Sequence, residues 1–355
     1  MSTRSPYVLA LGACLALACR TPGPAEPSDE SPRESAAAAA APAAEAAIEA
    51  GLRASAPLPH GSRVELASVR VELQDVKRGA AAWQALRAAS AANRPAREGT
   101  EFLLVRLKLG AKDRASWIGC KDFRAAGMQR VVYFHGSEIA PKPELANQTL
   151  EPGESAEGWC VYPIRTGDRG LLLMLNEPDS RDPAGLRYLA LEEGAALADP
   201  AGALEAPSSA AGASRAQAAP PGRGVATKDW HVKAVEILRG DAARRLVESA
   251  NERNAGPDEG LEFVAVKLQA RYLGHSGQPG LLSASQFQSI AGDGRPYARA
   301  IVLDLSPGLS RTLLPGGEHT GWAVFQVAPG DARAVLRFAP LYPDEGERFL
   351  ALAGG

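Results

Sequence analysis

Hydrophobic positions recur with a period of two along much of this chain. In residues 102–109, Leu103, Val105, Leu107 and Leu109 point one way while Arg106 and Lys108 point the other; in residues 263–270, Val264, Val266, Leu268 and Ala270 oppose Lys267 and Gln269. Successive side chains of a strand leave opposite faces, so each pattern describes a strand with one buried face. Short apolar stretches at 64–76, 131–135, 158–163, 170–175 and 186–191 predict further strands, and so do 230–238, 299–305, 320–327, 334–338 and 347–352. About seven short strands separated by Gly/Pro turns in each half point to antiparallel sandwiches.

The second half repeats the first. Residues 79–102, ending Glu98-Gly99-Thr100-Glu101-Phe102, align without a gap on 240–263, ending Glu259-Gly260-Leu261-Glu262-Phe263. Leu150-Glu151-Pro152-Gly153-Glu154 followed by Gly158-Trp159 recurs as Leu314-Pro315-Gly316-Gly317 followed by Gly321-Trp322, and each half closes on aromatic-Leu-Ala-Leu, at 188–191 and 349–352. A period this long means tandem domains rather than a solenoid. The segments 79–98 and 240–259 break the alternation. They are rich in Ala, Arg and Asn, with Trp83, Leu86 and Ala89 at helical spacing in one and Val247 and Ala250 in the other. A long loop with a short helical turn, or partial disorder, is expected there, and a long loop on a rigid sandwich is where binding often sits.

With these motifs in place, each half resembles the immunoglobulin-like module of bacterial secreted proteins and lipoproteins known as the immunoprotective extracellular type. The likeness rests on the Glu-Gly-x-Glu-Phe entry into an alternating strand, on Phe123 and Phe287, on the Leu-x-Pro-Gly turn and on the Gly-Trp-x-Val strand. Gly110 and Arg271 stand where the family has asparagine. The resemblance implies two extracytoplasmic sandwiches and no particular mechanism.

The chain begins with Arg4 and an apolar run over residues 7–18, too short to span a bilayer and suited to the core of a secretory signal. It ends Ala16-Leu17-Ala18-Cys19, which resembles a bacterial lipoprotein signal with Cys19 as the lipidated residue. Leu11-Gly12-Ala13-Cys14 also fits, but cutting before Cys14 leaves Cys19 as an extra thiol, whereas cutting before Cys19 leaves Cys120 and Cys160 as an even pair. An ordinary secretory signal without lipid is the other reading. Residues 19–59, dominated by Ala, Pro, Ser and Glu, bury too little apolar surface to order and read as a disordered tether with an r.m.s. reach of ~35 Å. The expected organisation is thus a signal peptide over 1–18, a tether over 19–59, immunoglobulin-like domains over 60–198 and 225–355, and a flexible linker over 199–224.

Composition narrows the partners. A net charge of -2, with 39 Lys and Arg against 41 Asp and Glu, provides no electrostatic footprint for nucleic acid. Cys120 and Cys160 align on Ala284 and Ala323 in the other half, so both are absent together, as expected for a disulfide in an oxidising compartment. His60, His135, His231, His275 and His319 are scattered, without metal-ligand spacing. Gly274-His275-Ser276-Gly277 lacks the second glycine of a nucleophile elbow, with Gln278 in its place. Trp159 and Trp322, beside Gly158 and Gly321 in alternating strands, read as core residues rather than a stacking platform. Asp179, Asp182, Asp344 and Glu345 lie in turns, and no pair of acids recurs in both halves with the setting that acid–base chemistry needs.

The reading is therefore an all-β, lipid-anchored envelope protein without metal, cofactor or catalytic residues. It would act as a binding or structural module with a membrane contact through its anchor and an envelope protein as partner. A hydrolase with its site in the long loops, and a purely structural spacer, are the alternatives.

Overall fold

The alternating code becomes strands in both halves of the chain. The computed structural model describes residues 51–176, 185–200, 210–274, 278–341 and 346–353. The signal segment, Cys14, Cys19, residues 19–50 of the tether, His275, Ser276, Gly277, Asp179, Asp182, Asp344 and Glu345 lie outside the described residues. The first copy comprises β1 (Arg63–Glu65), β2 (Val69–Arg78), α1 (Gly79–Ala89), β3 (Thr100–Ala111), β4 (Ser116–Ile118), β5 (Arg124–Ala126), β6 (Val131–Tyr133), β7 (Gln148–Leu150), β8 (Ser155–Arg165), β9 (Leu172–Leu175) and β10 (Arg187–Ala190). The second comprises β11 (Val225–Ala226), β12 (Trp230–Arg239), α2 (Gly240–Ala250), β13 (Glu262–Tyr272), β14 (Gly280–Leu282), β15 (Phe287–Ile290), β16 (Arg311–Leu313), β17 (Glu318–Val327), β18 (Val335–Phe338) and β19 (Arg348–Ala351). The proposed single strand over 64–76 is two strands, split at residues 66–68.

Each copy is an antiparallel sandwich. The sheet β1-β2-β3-β8 and its counterpart β11-β12-β13-β17 share strand order and register, including a bulge between Leu73 and Asp75 in one and between Ala234 and Glu236 in the other. A bulge leaves one residue unpaired and bends the strand, so its recurrence at matching positions marks one backbone built twice. Opposite these sheets stand β10-β9-β5-β6 in the first copy and β15-β18-β19 in the second. Leu103, Val105 and Leu107 pack between the sheets with Phe123, Leu173 and Leu189; Val264, Val266 and Leu268 do so with Phe287, Leu336 and Phe338.

Residues 79–98 and 240–259 are not loops with a single helical turn, because α1 and α2 are helices of 11 residues. Their cause lies in the other face of β3 and β13. Phe102 and Leu104 are buried as fully as the core positions, and Ala82 and Leu86, one helical turn apart, cover them together with Trp159 and Val161. Ala243 and Val247 do the same for Phe263, Ala265, Trp322 and Val324. The chain then leaves each helix through an asparagine clamp. Asn93 bonds both backbone groups of Ile139 (2.8 and 2.9 Å), and Asn254 both of Leu303 (2.7 and 3.1 Å). The second clamp explains why residues 299–305 are not a strand: a side-chain amide occupies Leu303's backbone groups in place of a neighbouring strand.

Trp159 and Trp322 are buried, each beneath a lysine: Lys77 Nζ lies 4.7 Å from one ring and Lys267 Nζ 5.3 Å from the other. The glycine preceding each tryptophan answers to a close approach. A Cβ on Gly158 would lie 2.4 Å from the Leu145 nitrogen, and one on Gly321 2.5 Å from the Gly308 oxygen, because a proline loop crosses there and Pro143 and Pro307 accept the tryptophan amides. Gly158→Ala is expected to lower stability by roughly 1–3 kcal/mol through overpacking, read as a reduced urea midpoint; an unchanged midpoint would show that the loop simply moves aside.

Each copy begins earlier than composition suggests. Leu58 bridges Leu189 in parallel, and Ala219 bridges Leu350 in the same way, so residues 51–59 and 210–224 are hydrogen-bonded onto the last strand of their copies rather than free chain.

Candidate functional site

The two copies meet edge to edge. β6 of the first pairs with β16 of the second, Val131 opposite Leu313 and Val132 opposite Thr312, extending one sheet across both in the order β10-β9-β5-β6-β16-β14. The hydrophobic core is continuous through this junction. In the second copy the residue before Tyr297 is Pro296, where the first copy has Val132 before Tyr133. Proline has no N–H to offer a further strand, so the outer edge of the second copy is blunted.

Arg130 locks the junction. It stands in the left-handed region (φ 56°), its carbonyl accepts the Leu314 amide at 2.8 Å, and its guanidinium donates to the carbonyls of Pro315 (2.7 Å) and Ala198. A Cβ on Gly317 would lie 2.7 Å from the Arg130 oxygen, so the glycine-rich turn 314–317 is shaped to receive this residue. A polar contact lies beside it: Arg165 donates to His319 Nδ1 (2.8 Å) and Gln129 Oε1 (3.3 Å), while His319 Nε2 donates to the Gly308 carbonyl (2.7 Å). His319 is 4% exposed, and burial pulls its pKa down to about 4, with the Arg311 and Arg165 charges adding to the shift against the opposing Gly308 bond.

Next to this contact opens a cleft of about 670 Å³. Its floor is β6 with Phe134 and His135; its walls are Arg94, Pro95, Ala96 and Arg97 after α1 and Pro163, Ile164 and Arg165 at the end of β8, and Arg311 of the second copy closes one side. Four arginines thus line it against one carboxylate, Glu138. Arg311 is open to solvent on one side; burial on the other lowers its pKa, and the Arg165 charge lowers it further. His135 is also shifted down, by burial, with Glu138 and Glu144 opposing. Tyr133 beneath the cleft donates to fully buried Asp168 at 2.7 Å, and burial first and then that carboxylate raise its pKa above the usual phenol range.

Cys120 and Cys160 form a disulfide inside the first sandwich rather than at the cleft, tying the turn before β5 to β8. Among the described residues no group of three or more His, Cys, Asp or Glu side chains could hold a metal ion, and no helix is long and apolar enough to cross a membrane. Of the histidines singled out from sequence, His135 lines the cleft and His319 the junction, while His60 and His231 lie elsewhere. Sequence reasoning missed Arg165, Arg311 and the Tyr133–Asp168 pair. One signal was present: Asp168 and Asp331 each follow their tryptophan by nine residues, and Tyr297 donates to Asp331 at 2.7 Å as Tyr133 does to Asp168.

No protein-family model matches this chain, and no curated protein matches it. Among solved structures it is similar to a candidate lipoprotein of Bacillus subtilis, ycdA, at 13% identity and TM-score 0.30; the match covers 37% of this chain and 38% of that one. It is also similar to MPT63, a secreted protein of Mycobacterium tuberculosis (14% identity, TM-score 0.27, 38% of this chain and 94% of that one). A third similarity is to a β-sandwich protein of Clostridium difficile 630, at 9% identity and TM-score 0.25, over 38% of this chain and 93% of that one.

Proposed function

We propose that the chain is an exported bacterial lipoprotein, held to a membrane by lipid at Cys19, whose paired immunoglobulin-like sandwiches form a non-catalytic binding module of the cell envelope. The cleft beside the β6–β16 junction is its binding site. One observation carries this reading: the first copy supplies the floor and walls of the cleft and Arg311 of the second closes its side, giving a concavity of the size of ordinary small-molecule sites, roughly 300–1,000 Å³. The Cys120–Cys160 bond supports an oxidising, extracytoplasmic setting.

Native mass spectrometry of the mature chain after incubation with envelope extract tests this. A retained component, lost in a Phe134→Asp/Arg311→Glu variant that melts like the parent, is expected. Retention unaffected by that variant, or release of hydrolysis products, would overturn the assignment. Failure to retain anything would leave the spacer alternative standing in its place.

A further inference from the structure

Several arginines elsewhere on the two copies are paired with carboxylates. Arg78 meets Glu101 at 2.7 Å, Arg239 meets Glu262 at 2.8 Å and Arg106 meets Glu157 at 2.8 Å. At the cleft the pattern reverses. Arg165 is held by a neutral amide and a histidine, and the Arg311 guanidinium donates to the Ser310 carbonyl beside it at 3.3 Å. Among the described residues no carboxylate lies within ion-pair distance of Arg94, Arg165 or Arg311, and Arg97 reaches Asp304 only at 3.9 Å. Glu138, the one acid in the lining, pairs with none of them; its Oε2 is buried without a partner.

Bringing two guanidinium groups from different copies together without a counter-charge costs energy, and a bound anion recovers it. The planar fork of an arginine matches a carboxylate or phosphate with two parallel N–H···O bonds. Arg165 is already oriented by Gln129 and His319, so little freedom remains to be lost when it binds. Phe102, Phe134, Ile164, Pro95 and Pro163 add an apolar and aromatic surface to the lining. Resting on the binding role proposed above, we infer that the cleft takes a small organic anion. A carboxylate or phosphate ester would sit between Arg165 and Arg311, and its aromatic or aliphatic body against Phe134 and the neighbouring prolines.

The probes are phenyl phosphate and benzoate, with inorganic phosphate and phosphatidylglycerol vesicles as comparisons, titrated calorimetrically into the mature chain. Saturable one-to-one binding of at least one organic anion is expected, tighter than inorganic phosphate. Arg311→Gln should weaken it at least tenfold, and Arg63→Gln, on an exposed strand remote from the cleft, should not change it. Matching thermal melts for both variants exclude a folding defect. Absence of saturable binding by either organic anion, equal binding by Arg311→Gln, or association with vesicles alone would overturn the inference. If those results coincide with an envelope component that is still lost in the Phe134→Asp/Arg311→Glu variant, the cleft remains the binding site and only its anion preference falls.

Discussion

Replacing Cys120 and Cys160 together by alanine is expected to remove ~4 kcal/mol of stability without changing the fold. The bond closes a loop with a sequence separation of 40, and the chain entropy that this closure removes from the unfolded state sets the magnitude. The second copy shows that the fold tolerates the change, because Ala284 and Ala323 stand at the matching positions and Ala323 is buried in the same continuous core. Urea unfolding of the oxidised parent, the reduced parent and the double variant measures the effect. The reduced parent and the variant should share a midpoint well below that of the oxidised protein. Equal midpoints for all three would mean that the cross-link adds nothing to stability. Mass spectrometry without reductant should find no free thiol at either position.

Acidification supplies the second large effect. The His319 pKa falls from an ordinary 6.5 to about 4 on folding. Above pH 6.5 the imidazole is neutral in both states and contributes no pH dependence. Between pH 6.5 and about 4 the unfolded chain binds a proton that the folded chain refuses, so stability falls as pH falls, by roughly 3 kcal/mol across the window. Burial is the main cause, and the geometry adds to it: Nδ1 accepts from Arg165 and Nε2 donates to Gly308, so a second ring proton would face a guanidinium. His319→Gln lacks this titration. Urea midpoints at pH 7, 5.5 and 4.5 should diverge between parent and variant, with the parent losing more; parallel curves would refute the assignment.

Sheet architecture was legible from sequence because its determinants are local. Leu103 to Leu109 alternate, Phe123 directly precedes β5 as Phe287 begins β15, and the Gly-Trp pairs recur where a proline loop crosses. The helices were harder to read. α1 buries Ala82 and Leu86, but its alanine-rich run and its position between Arg78 and the exposed residues 97–99 resemble a surface loop. What commits it to helix is the second apolar face of β3, at Phe102 and Leu104, which the Arg106 and Lys108 positions disguise as a solvent face. Residues 299–305 show the converse. Ala300 and Val302 carry strand character, yet the Asn254 clamp and the flanking Pro296 and Pro307 remove the backbone donors and partners that a strand needs.

The junction left almost no trace in the sequence. Arg165 and His319 are 154 residues apart, and Arg130 reaches a carbonyl 185 residues away. No periodicity connects such positions. The two turns read as equivalents, Leu150-Glu151-Pro152-Gly153 and Leu314-Pro315-Gly316-Gly317, in fact differ in use. Gly316 and Gly317 lie against Arg130, whereas nothing approaches the Cβ position of Gly153. Leu313 stands at the position of Leu150, so the visible mark of that difference was Leu314 and Gly317 where the first copy has Glu151 and Glu154.

Amide hydrogen exchange on the mature chain, read over residues 130–133 and 311–314, tests most directly whether the two copies form one body. Slow exchange at the Leu314 amide, which donates to Arg130, and across the β6–β16 pair is expected, together with a single cooperative unfolding transition for both copies. Exchange there as fast as in an unstructured peptide, with the copies unfolding in separate steps, would contradict a shared sheet and dismantle the cleft built upon it.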